Sequence, residues 1–115
     1  MKVHGLFLNA QRTVTVPAGD VVFKEGDGGE EMYGIIRGQI QLDANGHAVA
    51  TLGVDDVFGE MAIVDSSPRM ATATAAVETE LAVIDRHRFL FLVQETPMFA
   101  LSVMSAMAER FRAQA

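Results

Sequence analysis

Residues 58–75 read FGEMAIVDSSPRMATATA, a run of mostly small and apolar residues with a glutamate near its start and an arginine after its loop. Glu60 follows a glycine, and Arg69 follows a proline. Gly59 lets the backbone approach another group closely, and the residues that follow it are good helix formers. The stretch therefore predicts one short helical turn, then a loop over residues 64–68, and then a returning strand.

The same residue types favour the binding of an anion. Free N–H groups at the start of a helical turn favour a phosphate. Arg69, held by the rigid Pro68, can pair two phosphate oxygens with its planar fork. The carboxylate of Glu60 only accepts hydrogen bonds and suits a sugar hydroxyl. Small residues that leave room for a ligand are Ala62, Ala71 and Ala73. Together these features predict a nucleotide, unless Glu60 and Arg69 simply form a partly buried ion pair with each other.

The chain before this stretch has the pattern of a β-structure. All ten glycines fall at or before Gly59, and short apolar runs alternate with turn signals. Strands at such spacing are typical of an all-β roll or barrel. Gly38 indicates a tight turn or bulge, and DANG at residues 43–46 indicates a hairpin loop.

The chain after the stretch has one more strand pattern, at residues 80–85, and then helical patterns. Asp85 is a candidate N-cap for a helix over residues 86–95. Pro97 is expected in the first turn of the following helix, with Thr96 as its cap.

The last helix carries two apolar rows. Its first row is expected to dock on the roll and consists of Leu101, Met104, Ala108 and Phe111. The second row lies beside it and consists of Phe99, Val103 and Met107. Two such rows indicate either a well-buried helix or a contact surface for another subunit.

Length and composition limit the function. The 115 residues suit one domain, with a β-roll over about 12–85 and helices over about 86–113. The chain has no cysteine, which favours the cytoplasm and excludes disulfides and thiolate metal sites. A net charge of −6 opposes binding to nucleic acid, and no run reaches the ~20 apolar residues of a membrane span. The predicted partner is a small molecule or another protein.

The stretch resembles the phosphate-binding cassette of cyclic nucleotide-binding domains, as in bacterial catabolite activator proteins, regulatory subunits of cAMP-dependent protein kinase and cyclic nucleotide-gated channels. Residues that match the cassette in order and spacing are Phe58, Gly59, Glu60, Met61, Ala62, Pro68, Arg69, Ala71 and Thr72. The resemblance extends over about residues 12–112. It implies a mainly β fold with flanking α-helices, in which an eight-stranded, jelly-roll-like β-roll carries a short cassette helix and C-terminal helices.

The resemblance also implies a set of site residues. By position, Arg69 would bind the cyclic phosphate and Glu60 the ribose 2′-hydroxyl. The other implied ligand-binding residues are Gly59 and Ala62, which line the pocket with backbone, and Met61, Met70 and Ala71, which flank it. A threonine at the position of Met70 is associated in this family with contacts to guanine, so Met70 favours cAMP over cGMP.

The implied function is a stand-alone cyclic-nucleotide sensor without a DNA-binding or catalytic module. Phe111, Met107 or Arg110 would cap the base, and the C-terminal helices would contact an effector protein or form a homodimer. The alternative is a protein-interaction module of the same fold that binds no nucleotide.

Catalysis is not expected. A metal-dependent roll needs two or three histidines close to a carboxylate, whereas His4, His47 and His87 are scattered along the chain. An acidic turn over residues 25–31 is expected to be a solvated loop rather than a metal site.

Overall fold

A computed structural model describes residues 2–114, which contain eight strands, a 3-10 helix and three α-helices. The strands are β1 (Thr13–Val16), β2 (Val21–Phe23), β3 (Met32–Arg37), β4 (Ile40–Ala44), β5 (His47–Leu52), β6 (Val57–Phe58), β7 (Thr72–Ala75) and β8 (Thr79–Ile84). The 3-10 helix is Leu6–Asn9, and the α-helices are α1 (Met61–Val64), α2 (Arg86–Glu95) and α3 (Met98–Gln114).

The strands form two antiparallel sheets, in the orders β1-β8-β3-β6 and β2-β7-β4-β5. Both sheets contribute to one core, in which Ile35 and Leu81 of the first sheet pack with Ile40 of the second. None of these three side chains is exposed to solvent. The predicted eight-stranded roll with C-terminal helices is therefore confirmed.

Two predicted turns are present where glycine and asparagine indicated them. Gly38 joins β3 to β4 with a φ of 103°, and a Cβ there would lie 2.4 Å from Oγ1 of Thr79. Asn45 and Gly46 join β4 to β5 with φ values of 53° and 78°. Left-handed conformations at both central residues suit the twist of a two-residue hairpin, so residues 43–46 form the predicted hairpin.

The predicted start of α2 is confirmed, and α3 starts one residue later than predicted. The side chain of Asp85 accepts a hydrogen bond of 2.8 Å from the backbone N–H of Arg88 and so caps α2. Helix α3 begins at Met98, so Pro97 lies directly before the helix and not in its first turn, and the backbone carbonyl of Thr96 accepts a bond of 2.9 Å from the N–H of Phe99.

A second core lies between the first sheet and the helices. Its central side chains include Phe7, Met32 and Phe99, all 3% exposed or less. The 3-10 helix that supplies Phe7 was not predicted, because two polar residues interrupt the short apolar patch at the N-terminus. Gly34 makes room for it, since a Cβ at Gly34 would lie 2.5 Å from the ring of Phe7.

The prediction for the face of α3 was wrong. The first row, expected to dock, is exposed instead: Leu101 is 48% exposed, Met104 61% and Phe111 76%, and Ala108 is also exposed. The second row packs instead, with Phe99 and Val103 buried in the second core. Both rows have helical spacing, so spacing alone could not decide which of them faces the roll.

Over residues 2–114, no single helix is both long and apolar enough to cross a membrane. The pair of α2 and α3 passes that test of length and composition only when taken together, and the two helices are bent by 119° at their junction.

Candidate functional site

A cavity of about 490 Å³ lies between the second sheet, the α1 segment and the last turns of α3. All seven site residues predicted from the sequence line it, namely Gly59, Glu60, Met61, Ala62, Arg69, Met70 and Ala71. Residues that sequence reasoning missed are Phe23, Leu42, Val49, Arg112 and Gln114. The three apolar ones come from strands β2, β4 and β5, and only the pairing of these strands with one another and with β7 brings them to the cassette.

Arg69 is a buried cation in the wall of this cavity. The residue is 7% exposed, and its Nη1 donates to the carbonyl of Gly59 at 3.1 Å. Its Nε is buried and has no hydrogen-bond partner among residues 2–114. Removal from water lowers the pKa of this guanidinium from its ordinary value. A buried N–H donor without a partner is costly, so the site is suited to an acceptor that comes from outside the chain.

The ring of Phe23 supports the guanidinium from one side. The Cζ of Arg69 lies 4.2 Å from the centroid of that ring, within the range of a cation–π contact. Tyr33 stacks on Phe58 and lies further from Arg69, with 5.9 Å between its ring centroid and the same Cζ. The guanidinium is thus held in place by aromatic faces, which leave hydrogen-bonding positions on its edge open.

The acidic loop over residues 24–31 closes on Arg69 through its backbone. The N–H of Arg69 donates to the carbonyl of Asp27 at 2.8 Å, and the N–H of Gly26 donates to the carbonyl of Arg69 at 2.7 Å. Gly29 lies so close that a Cβ there would sit 2.4 Å from Nη2 of Arg69. Gly59 also leaves no space for a side chain, because a Cβ there would lie 2.8 Å from Nη1 of Arg69. Its φ of 78° is a left-handed conformation that favours glycine.

Glu60 pairs with α3 and not with the cassette arginine. Its side chain is 5% exposed and accepts a hydrogen bond from Nη1 of Arg110, whose Nη2 donates to the carbonyl of Val57. Among residues 2–114, Arg69 forms no ion pair. The hypothesis that Glu60 and Arg69 pair with each other is therefore wrong.

The short helix α1 is attached to α2 as well. Nη1 of Arg86, at the start of α2, donates to the carbonyl of Ile63 at 3.0 Å. The side chain of Ile63 is buried in the second core. The segment from Glu60 to Ile63 thus contacts both C-terminal helices, α3 through Arg110 and α2 through Arg86.

The rest of the cavity wall is largely apolar. Its aliphatic, thioether and aromatic side chains are Phe23, Leu42, Val49, Met61, Met70, Met107 and Phe111. The three candidates for covering a base all line the cavity, but the guanidinium of Arg110 is engaged by Glu60. A polar corner around Arg69 and Glu60 beside an apolar wall suits a ligand with an anionic end and a flat apolar part.

The residues described contain no group of three or more His, Asp or Glu side chains that could hold a metal ion. His4 lies 3.3 Å from Oδ2 of Asp55, at the surface.

Comparison with known proteins agrees with this geometry. The family model described as the cyclic nucleotide-binding domain matches residues 13–96. A cyclic nucleotide-gated potassium channel from Rhizobium etli is 34% identical over 103 residues, which are 90% of this chain and 29% of the channel. The cyclic AMP receptor protein of Thermus thermophilus is 32% identical over 101 residues, which are 84% of this chain and 47% of that protein. The chain thus spans less than half the length of these two relatives.

Solved structures share the fold. The catabolite activator protein of Thermus thermophilus superposes with a TM-score of 0.74 at 31% identity, over 88% of this chain and 50% of that one. A structure described with a cyclic-GMP-dependent signalling pathway that regulates bacterial phytopathogenesis superposes with a TM-score of 0.76 at 27% identity, over 93% and 89% of the two chains. The cyclic AMP receptor protein and this second structure are described with different cyclic nucleotides, so the fold alone does not select the base.

Proposed function

This chain belongs to the cyclic nucleotide-binding domain family, and we propose on that premise that its cavity binds cAMP in preference to cGMP. The observation that carries the proposal is Arg69, a buried guanidinium whose Nε has no partner among residues 2–114. A cyclic phosphate would supply the missing acceptor and would offset the cost of keeping the charge away from water.

The proposed roles follow from the positions of the polar groups. Arg69 binds the phosphate through the edge of its guanidinium that includes the unpartnered Nε. Glu60 accepts the ribose 2′-hydroxyl with the part of its carboxylate that Arg110 does not engage. Gly59 and Ala62 bring the backbone close to the sugar and phosphate, while Met61, Met70 and Ala71 form the adjoining apolar wall.

The preference for cAMP rests on the wall beside Arg69. Met70 follows the arginine and is 55% exposed, so its thioether can lie along a base but cannot donate a hydrogen bond to guanine. Phe111 of α3 also lines the cavity, is 76% exposed and can cover the base with its ring. This apolar wall favours adenine, which has fewer polar groups to satisfy than guanine.

The proposed activity is regulatory and not catalytic. The carboxylate of Glu60 that would bind the ligand is also the partner of Arg110 on α3. Ligand binding and the position of α3 are therefore linked. The part of this exposed row that does not line the cavity would present the result to an effector protein or a second copy. Leu101 and Met104, both about half exposed or more, are the apolar part of that surface.

Isothermal titration calorimetry with cAMP and with cGMP tests the proposal. The test uses wild type, Arg69→Ala and the control Arg37→Ala, because Arg37 is an exposed arginine of β3 that pairs with Glu78 and Glu80 away from the cavity. We expect tighter binding of cAMP than of cGMP, no binding by Arg69→Ala and unchanged binding by Arg37→Ala. Retained affinity in Arg69→Ala would contradict the phosphate assignment, and absence of heat in wild type would favour the nucleotide-independent module.

A further inference from the structure

All of the sulfur in this chain belongs to methionine. The sequence has seven methionines and no cysteine. Peroxides oxidise the thioether of methionine to a sulfoxide, and this chain has no thiol to compete with that reaction. Methionine is therefore the residue type at which a peroxide is expected to modify the chain, and exposure to solvent decides which methionines react.

One methionine combines exposure with a place in the cavity wall. Met61, Met70 and Met107 line the cavity, but Met61 and Met107 are partly buried whereas Met70 is 55% exposed. Met98 and Met104 are 48% and 61% exposed, and neither of them lines the cavity. In the described part of the chain, only Met70 is thus both about as exposed as the surface methionines and part of the cavity wall.

Met70 lies where a change of polarity affects the ligand. It directly follows Arg69, the proposed phosphate contact, and the wall that it shares with Ala71 and Phe111 is apolar. Oxidation turns the flexible, apolar thioether into a polar, chiral sulfoxide. Covering that polar group with a base removes it from water, which costs free energy when no hydrogen-bond donor replaces the water. A sulfoxide at Met70 should therefore weaken the binding of a nucleotide.

We propose that Met70 is a site of reversible oxidation by peroxide that lowers the affinity of the cavity for its nucleotide. The inference rests on the proposed function and adds a regulation of the same site. A lone pair of the thioether sulfur attacks one oxygen of hydrogen peroxide, so the S–O bond forms as the O–O bond breaks. The sulfur loses two electrons to the peroxide, and the transferred oxygen gives its proton to the departing hydroxide, which leaves as water. A methionine sulfoxide reductase restores the thioether, releasing water as two thiols are oxidised to a disulfide.

Treatment of the purified chain with hydrogen peroxide, followed by removal of the peroxide, tests the inference. Isothermal titration calorimetry measures the affinity for cAMP before and after treatment of wild type, Met70→Leu and the control Met104→Leu. Leucine keeps the apolar volume of methionine and has no sulfur to oxidise. Met104 is a matched control because it is about as exposed as Met70 and lies outside the cavity lining.

We expect oxidation to lower the affinity of wild type and of Met104→Leu by about five- to 100-fold, the range for one polar group buried without a partner. The affinity of Met70→Leu should be the same before and after treatment. Incubation of oxidised wild type with reductases for both sulfoxide epimers should restore its affinity.

Peptide mass spectrometry locates the sulfoxides and gives a readout that does not depend on affinity. Met70, Met98 and Met104 should all be oxidised in the unliganded protein, because all three are exposed. Saturation with cAMP should protect Met70 and leave Met98 and Met104 reactive.

The possible results separate this inference from the proposed function. Absence of cAMP binding to untreated wild type would remove both. Binding by untreated wild type, with the same loss on oxidation in Met70→Leu as in wild type, would overturn the role of Met70 alone. A Met70 that stays reduced while Met104 is oxidised would also overturn it. Affinity that the reductases do not restore would show irreversible damage and contradict a reversible modification.

Discussion

Arg110 and Glu60, fifty residues apart in sequence, form a nearly buried ion pair that joins α3 to the cassette. Only 15% and 5% of their side chains are exposed. A buried pair adds little net stability over an apolar replacement, yet removal of one partner leaves a costly unpaired charge. The pair therefore matters more for where α3 lies than for how stable the domain is.

Arg110→Met should destabilise the fold by about 3 kcal/mol, because it leaves the buried carboxylate of Glu60 without its cation. Urea unfolding of the unliganded protein measures this loss. In the double variant Glu60→Gln with Arg110→Met, most of the stability should return, since no charge is then left unpaired. If the single and double variants unfold at the same urea concentration, Glu60 is solvated well enough without Arg110, and the pair does not hold the helix.

Arg69→Met should abolish nucleotide binding and leave the free energy of unfolding unchanged or raised. The reason is that water exclusion makes the charge of Arg69 unfavourable in the unliganded fold, as its lowered pKa indicates. Such an exchange of stability for binding is common at functional sites. Calorimetric binding and thermal unfolding check both parts. Arg37→Met is the control, and a marked loss of stability in Arg69→Met alone would show that Arg69 is mainly structural.

Gly29→Ala should weaken nucleotide binding by at least about tenfold with a loss of stability under ~1 kcal/mol. A Cβ at Gly29 would lie 2.4 Å from Nη2 and 2.8 Å from Cζ of Arg69, so the guanidinium must leave its place on Phe23. Gly28→Ala is the matched control, because a Cβ at the neighbouring glycine meets nothing within 4 Å. Equal affinities of the two variants would mean that Arg69 tolerates displacement and is not preorganised by the loop.

The cassette was predictable because its signals are local. The cassette is recognised from residues close together in the sequence, namely Gly59-Glu60 and then Pro68-Arg69. The Asp85 cap and the hairpin over residues 43–46 are recognised in the same way. Each depends on backbone geometry within a few residues. The structure keeps all of them, and it gathers the seven predicted site residues around one cavity.

The face of α3 was not predictable from apolar spacing, since both of its rows have the same period. The deciding residue is Arg110, which lies three positions after Met107, in the row of Phe99 and Val103. Its guanidinium can reach the buried Glu60 only if that row faces the roll. The signal in the sequence is a lone arginine in an apolar row together with an acid at the start of the cassette.

Tyr33 offers a spectroscopic test of the charge at Arg69, because it is the single tyrosine of the chain. Burial raises the pKa of its phenol above the ordinary value of about 10, while the nearby Arg69 lowers it in part. A phenol with a raised pKa in the folded state contributes stability that is fully present below pH ~10 and is lost as the pH rises through the folded pKa. Urea unfolding should therefore show a steeper loss of stability above pH ~10 in wild type than in Tyr33→Phe.

The same phenol should report the arrival of an anion at Arg69. Arg69 is the cation whose field most favours the ionised phenol, so neutralising it should raise the pKa of Tyr33 further. Titration of phenolate absorbance in the folded protein measures this pKa directly. We expect an upward shift in Arg69→Met, and an upward shift of wild type on saturation with cAMP, while Arg37→Met keeps the wild-type value. If cAMP binds but leaves the titration of Tyr33 in place, its phosphate does not rest on Arg69.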